Sequence, residues 1–380
     1  MARDSFYGET ILWTGKPEVI RTPLVWKVAS IVAGVMSLTS VAFAIVVASA
    51  IHRPVGPMLL LSAWCATIAL GAWKGPQIWL AKVTYQVTDK HIVWRRGRLR
   101  RAIERAGVSY AVLRWTDREG GIGDLLLTRA VPTGALRRTL SLTLTGVKSP
   151  DRVFSLVRGV SAPELVSAPG LSLEAARASV AARPLAQRLD PGERVLWSAT
   201  PLASPWTVRR GLRAALAVAL SLALVRMLVR AVPSLGKLLR LHALPGWTFG
   251  LMLGAMAVVA ILLLVSAFVV GWSALVLPWK KQQRTRYFVT NKRVLIARDD
   301  EELHLERSRI AYVIASKGEK LHDVFLVLDG PHARSLALSG AFGGDDGGVL
   351  RPVFNAIDDA DSVHDLLAQS EKPAPMRDAA

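Results

Sequence analysis

Tyr85-Gln86-Val87-Thr88-Asp89-Lys90 and Tyr287-Phe288-Val289-Thr290-Asn291-Lys292 are one segment written twice, 202 residues apart. The register continues without a gap: Ile103-Glu104-Arg105 meets Leu305-Glu306-Arg307, and Tyr110 meets Tyr312. After a three-residue deletion, Asp124 meets Asp323. Upstream, Gly8-Glu9, Leu12-Trp13 and Pro17 recur as Gly192-Glu193, Leu196-Trp197 and Pro201, at a constant offset of 184. Matches held in this order along both halves are the mark of a duplicated unit.

Between the two motifs of each copy lie two long apolar runs. In the first copy they are Leu24–Ala50, broken only by Lys27, and Val55–Trp73; in the second, Leu212–Val232 and Trp247–Trp279. Spanning a bilayer as a helix takes about 20 apolar residues, and each run meets or approaches that length. Val28–Ala50 shows no polar stripe at helical period, as a soluble core helix would. Only Ile51–Pro54 separates the first two runs, which therefore predict a helical hairpin. The connector Pro233–Gly246 alternates leucines with Lys237, Arg240 and His242 and reads equally as an interfacial segment or a short loop. The chain's 51% hydrophobic content and its formal charge of +19 thus belong to different stretches. Residues 74–210 hold 23 Lys and Arg against 10 Asp and Glu, whereas the two hairpin tips are nearly uncharged. Basic segments stay inside, so both termini and both polar regions are expected on the cytoplasmic side of a bacterial inner membrane. No short apolar stretch with a small-residue cleavage site precedes the first run, which reads as a retained helix. Trp26, Trp73, Trp79, Trp247, Trp272 and Trp279 lie near span ends, where interfacial aromatics belong.

The polar regions read as β. Thr84–Trp94 alternates in part, Asp89-Lys90 and Asn291-Lys292 supply turns, Arg96-Gly97 supplies another, and Leu140–Thr145 alternates strictly. Val324–Leu328 and Ser335–Ser339 are the matching candidates in the second copy. Each region closes on a helix, started by Ser149-Pro150-Asp151 and by Asp361-Ser362. The predicted fold is membrane α plus β, in two tandem units, each a transmembrane hairpin followed by a small β-barrel with a C-terminal helix. The boundaries are a cytoplasmic lead-in (1–23), hairpin one (24–73), β domain one (74–160) and a linker (161–187), then a second lead-in (188–211), hairpin two (212–279), β domain two (280–370) and a tail (371–380).

The order Gly8, Glu9, Leu12, Trp13, Gly15, Pro17, then two spans, then Tyr85-Gln86-Val87-Thr88-Asp89-Lys90 and Ile122-Gly123-Asp124, resembles the bacterial pleckstrin-homology-like (PH-like) membrane proteins. The layout is also similar to that of photosynthetic-complex assembly proteins of purple bacteria, which carry one such domain. The second copy departs from the pattern at Ser198-Ala199-Thr200 and at Leu321-His322-Asp323. The resemblance implies a split seven-stranded barrel with a C-terminal helix in each unit. It does not carry over phosphoinositide binding.

No catalytic constellation is present. The seven histidines form no His-Glu-x-x-His pair, and there is no Gly-x-Ser-x-Gly elbow or phosphate-binding loop. Gly343–Gly348 lacks the lysine of a phosphate cradle. The single cysteine, Cys65, excludes an internal disulfide framework and reads as packing within a span. Arg226 and Arg230, one helical turn apart, read as snorkelling or bundle-pairing residues. No enzyme, cofactor or metal is expected. Nucleic acid is not an expected partner, because residues 280–380 are net −1 and membrane topology accounts for the basic excess elsewhere.

One contrast between the copies stands out. The hairpin after Tyr-x-Val-Thr carries Arg95, Arg96, Arg98, Arg100 and Arg101, with Arg105 following, in copy one; the same register in copy two carries Asp299, Asp300, Glu301 and Glu302. The arginines are candidates for anionic lipid headgroups or a protein partner. The acidic group is a candidate for pairing between domains or between protomers of a homo-oligomer. The expected role is a non-enzymatic membrane scaffold or assembly factor. The alternative is a membrane sensor or transporter-like component whose four-helix bundle carries the activity.

Overall fold

The computed structural model describes residues 8–19, 22, 24–48, 55–130, 139–160, 183, 185, 188–203, 206, 208–240, 246–315, 321–328 and 350–368. The chain divides into two compact units. One comprises residues 20–81 and 208–277; the other comprises the remainder.

The first unit is helical: α1 (Leu24–Val46), α2 (Gly56–Ala81), α4 (Val208–Arg240) and most of α5 (Gly246–Gln283). Four helical stretches, of 20, 26, 22 and 32 residues with mean hydropathies of 2.1, 1.4, 2.0 and 2.9, are long and apolar enough to cross a membrane. They leave large apolar side chains exposed, Leu38 and Leu60 at 73% each. Where α1 meets α2 the buried residues are small: Ser30, Ala33, Ala44, Ser62, Cys65 and Ala72. Ser30 donates to the carbonyl of Ala69 (2.8 Å), and the Ser37 and Ser62 hydroxyls lie 3.0 Å apart. Close approach through small residues, with hydroxyls satisfied across the contact, is how apolar helices associate where lipid supplies no hydrophobic drive. The connector reading of Pro233–Gly246 needs correction: α4 runs through Pro233 to Arg240. Arg226 and Arg230 are exposed on α4.

The second unit holds the strands. In residues 8–160 these are β1 (Ile11–Gly15), β2 (Val83–Thr88), β3 (His91–Arg96), β4 (Leu99–Glu104), β5 (Tyr110–Asp117), β6 (Ile122–Ala130) and β7 (Thr139–Lys148), closed by α3 (Pro150–Arg158). In residues 188–368 they are β8 (Val195–Ala199), β9 (Thr285–Thr290), β10 (Arg293–Arg298), β11 (Glu301–Glu306), β12 (Tyr312–Ala315), β13 (His322–Val327) and β14 (Val353–Ile357), closed by α6 (Ala360–Ala368). The lead-in segments therefore contain strands: β1 pairs with β2, and β8 with β9, although a helix pair intervenes in the chain each time. Residues 335–339, expected as a strand, lie outside the described residues.

Alternation decides which faces are buried. Val83, Tyr85 and Val87 of β2 are fully buried, as are Val289 and Val294 on β9 and β10. Val153, Phe154 and Val157 give α3 its inner face, and Val363 and Leu367 do so for α6. Among the described residues three antiparallel sheets result. One is β1-β2-β3-β4, and another is β12-β13-β14. The third has seven strands in the order β7-β6-β5-β11-β10-β9-β8 and takes three from the first half and four from the second. Its seam is β5 against β11, from Glu301↔Arg114 to Leu305↔Tyr110. The hydrophobic core of the second half accordingly includes Val112 from β5.

Candidate functional site

The repeated motifs explain themselves once the strands are assembled. Glu9 accepts from Thr88 (2.7 Å) and lies 2.8 Å from His91 Nδ1; Glu193 accepts from Thr290 (2.6 Å) and from Arg293 (2.9 Å). Each Thr hydroxyl also accepts the backbone N–H three residues on, at 2.8 and 2.9 Å, which holds the two-residue turn. The Tyr85 hydroxyl accepts from the N–H of Thr145, and that of Tyr287 accepts from the N–H of Asn355. Asp124 caps the N–H of Gly146 and Asp323 that of Ala356, both at 2.8 Å; these two residues share a left-handed conformation, φ 62° and 48°. Arg105 donates to the Val157 carbonyl and Arg307 to that of Leu366, tying each closing helix to its sheet. Arg105, a candidate ligand residue by sequence, thus has a structural bond at the end of α3.

The unrepeated residues converge on the seam. Glu301 accepts from Arg114 of β5 (2.5 Å) and from Arg298 (2.7 Å). Glu302, 1% exposed, pairs with Arg188 and with Arg118 (3.1 Å), which also reaches Asp300 and the Asp299 carbonyl. Asp299 meets Arg284 at 2.9 Å. Both Arg118 and Arg188 lie over the Trp115 ring, 5.9 and 5.7 Å from its centroid. Beyond the β11 ladder, Arg158 at the end of α3 bridges Asp190 (2.8 Å) and Glu306 (2.5 Å). Arg293 is 4% exposed and holds Glu193 at 2.9 Å through both Nε and its terminal nitrogen. Bidentate pairing of this kind offsets the desolvation cost that a buried ion pair carries.

His304 sits in the middle. Its ring packs on Phe154 (5.3 Å between centroids), Nδ1 lies 3.1 Å from Arg293 and Nε2 3.8 Å from Glu302. A guanidinium only donates, so Nδ1 accepts and the ring proton stands on Nε2, facing the carboxylate. Burial pushes the imidazole down to about 4; Glu302 opposes this, and the Arg293 charge adds to it. Burial would raise the Glu302 carboxyl, but His304 and Arg188 beside it prevail and hold it at about 2. At neutral pH the cluster therefore contains a neutral imidazole between fixed charges.

A crevice of about 670 Å³ opens along the same seam, lined among others by Asp89, Arg105, Phe154, Lys292, Glu306 and Arg309. Its cations are already engaged: Arg105 with the Val157 carbonyl, Arg309 with that of Ala106, Lys292 with that of Pro191.

The acidic candidates are thus brought against Arg114 and Arg118 of the first half and against Arg188, Arg284 and Arg298 of the second. None of these partners belongs to the Arg95–Arg101 hairpin. That hairpin stands apart: Arg98, Leu99, Arg100, Arg101 and Ala102 are exposed. Sequence reasoning missed Arg114, Arg118, Arg158, Arg188, Arg293 and His304. A signal was present, since Arg293 stands at the register of His91, His304 at that of Ala102, and Glu302 at that of Arg100. Comparison with known proteins returns nothing: no family model, no curated protein and no solved structure matches the chain.

Proposed function

We propose that the protein is a non-enzymatic membrane scaffold or assembly factor of the bacterial PH-like type, in which two tandem PH-like units share one rigid cytoplasmic platform. The barrel assignment is supported by the strand count, since among the described residues each half supplies four strands, then three, then one closing helix. Cytoplasmic placement at a bacterial inner membrane is supported by the 23 basic residues of segment 74–210.

One observation carries the functional reading. The seven-stranded sheet and its ion network join the halves, so the platform has no free hinge at β5–β11, while a basic hairpin is left outside it. Rigid presentation of one charged surface beside a membrane suits holding a partner complex or anionic headgroups in a fixed orientation. The test is purification of the full chain from its native membrane in mild detergent, with identification of co-purifying proteins and lipids. A stoichiometric membrane-protein complex, or selective retention of anionic lipid, supports the scaffold. A chain that purifies alone with bulk lipid overturns it.

A further inference from the structure

We infer that the outer edge of β4 is a docking site for an acidic extended strand of a partner protein, added antiparallel to β4 as β5 is added to β11. The inference rests on the scaffold reading and names the chemistry of its partner.

The chain itself supplies the precedent. β4 and β11 occupy the same place in the repeat, third strand of the run that follows the helices, 202 residues apart. On β11 the free edge is taken by β5 through a five-pair ladder, extended by the Trp115 N–H donating to the Asp300 carbonyl at 2.7 Å. On β4 the ladder to β3 is the whole pairing among the described residues, and β4 ends its sheet. Burial follows pairing: Glu302, Leu303, His304 and Leu305 are buried, whereas Leu99, Arg100, Arg101 and Ala102 are exposed on both faces of their strand. An edge strand exposes a row of backbone donors and acceptors that a further strand satisfies.

Charge selects the occupant. On the β10–β11 hairpin the acids Asp300, Glu301 and Glu302 meet Arg114 and Arg118, which arrive on and just after the added strand. The β3–β4 hairpin carries Arg98, Leu99, Arg100 and Arg101 at the register of Asp300–Leu303. The same geometry with reversed sign calls for acids on the added strand. A second copy of this chain does not fit, because the strand that matches β5 in the repeat, β12 (Tyr312–Ala315), carries no acidic residue.

The test uses the full chain in phosphatidylcholine nanodiscs. The probe is a synthetic peptide copying residues 110–118 with Arg114→Glu and Arg118→Glu, and the control is the unsubstituted peptide. The inference requires saturable binding of the acidic probe, slowed hydrogen exchange of the β4 amides, and weakening as salt rises from about 50 to 300 mM. The Arg98→Glu/Arg101→Glu variant changes exposed side chains only, and unchanged β2 exchange checks its fold. It should lower affinity for the acidic probe at least tenfold and raise it for the control. Absence of saturable binding, or binding that this variant leaves unchanged, overturns the inference and leaves the arginines as a guard against edge pairing. Protection of β4 that appears without peptide in phosphatidylglycerol nanodiscs also overturns it and assigns the hairpin to lipid headgroups. Failure of the scaffold reading is separate: it shows as a chain that purifies alone with bulk lipid, whereas a complex kept by both the unsubstituted protein and the variant without probe binding sinks the strand edge alone.

Discussion

The β3–β4 and β10–β11 hairpins occupy one position in two halves of the same chain, yet one stands in solvent and the other lies inside a seven-stranded sheet. The difference turns on a few side chains. Leu303 is fully buried against the second-half core, and Arg101 holds its register in the first half. An arginine there cannot enter an apolar core unpaired, so β4 does not continue the core outward as β11 does. Glu302 and His304, facing the other way, are buried because arginines from just past β5, from the second lead-in and from β10 surround them. Identical backbone hairpins thus acquire opposite surroundings from side-chain polarity.

Transplanting that difference should have the largest effect. Leu303→Arg places an unpaired charge among Val112, Ile296 and Leu305 and should cost about 5 kcal/mol or more, whereas Arg101→Leu should leave thermal stability in detergent unchanged within about 0.5 kcal/mol. Equal losses from both would break the comparison. Next comes the seam itself. Glu302→Leu strands Arg188 and Arg118 and should destabilise by about 3–4 kcal/mol in denaturant melts, and adding Arg188→Leu should recover most of it. A double variant no better than the single would mean the pair contributes through something other than mutual neutralisation.

Acid should loosen the seam in two stages. His304 titrates near 4 in the fold against 6.5 unfolded, so its contribution is complete above about pH 6.5 and is lost as pH falls toward 4. Glu302, near 2 in the fold against 4.5, loses its contribution between about pH 4.5 and 2. Both slopes have the same sign. Unfolding free energy should decline from pH 6.5 downward, by on the order of 3 kcal/mol for the histidine stage, and the melting temperature should fall with it. His304→Gln should flatten the stage above pH 4.5. The smallest effect concerns the paired caps: Gly146 adopts φ 62° without strain, while Ala356 is held at φ 48°. Ala356→Gly should stabilise by about 0.5–1 kcal/mol, and Gly146→Ala should destabilise, because a Cβ there meets the Val19 carbonyl.

Much of this was legible before folding. The apolar runs, the duplication, the Asp89-Lys90 and Asn291-Lys292 turns and the two closing helices follow from local periodicity and turn chemistry. So did the charge contrast between the hairpins, though not its meaning. The strand nature of Ile11–Gly15 and Val195–Ala199 escaped, because five-residue strands cut off from their sheet by two helices carry no periodic signal of their own. The extension of α4 through Pro233 escaped too, since a proline is an ordinary sign of a helix end.

Residue order alone points to most of the helices and strands, because those preferences act within a few residues. It also settles that the Gly-Glu-x-x-Leu-Trp and Tyr-x-Val-Thr motifs recur and that four stretches are apolar enough to cross a bilayer. Which strand edges meet was decided in three dimensions. β5 had the β4 and β11 edges of one chain before it, and the choice depended on Arg114, Arg118 and Arg188 finding Glu301 and Glu302 across more than a hundred residues of sequence. Ion pairing and core burial over that separation depend on position in space, which no local pattern encodes.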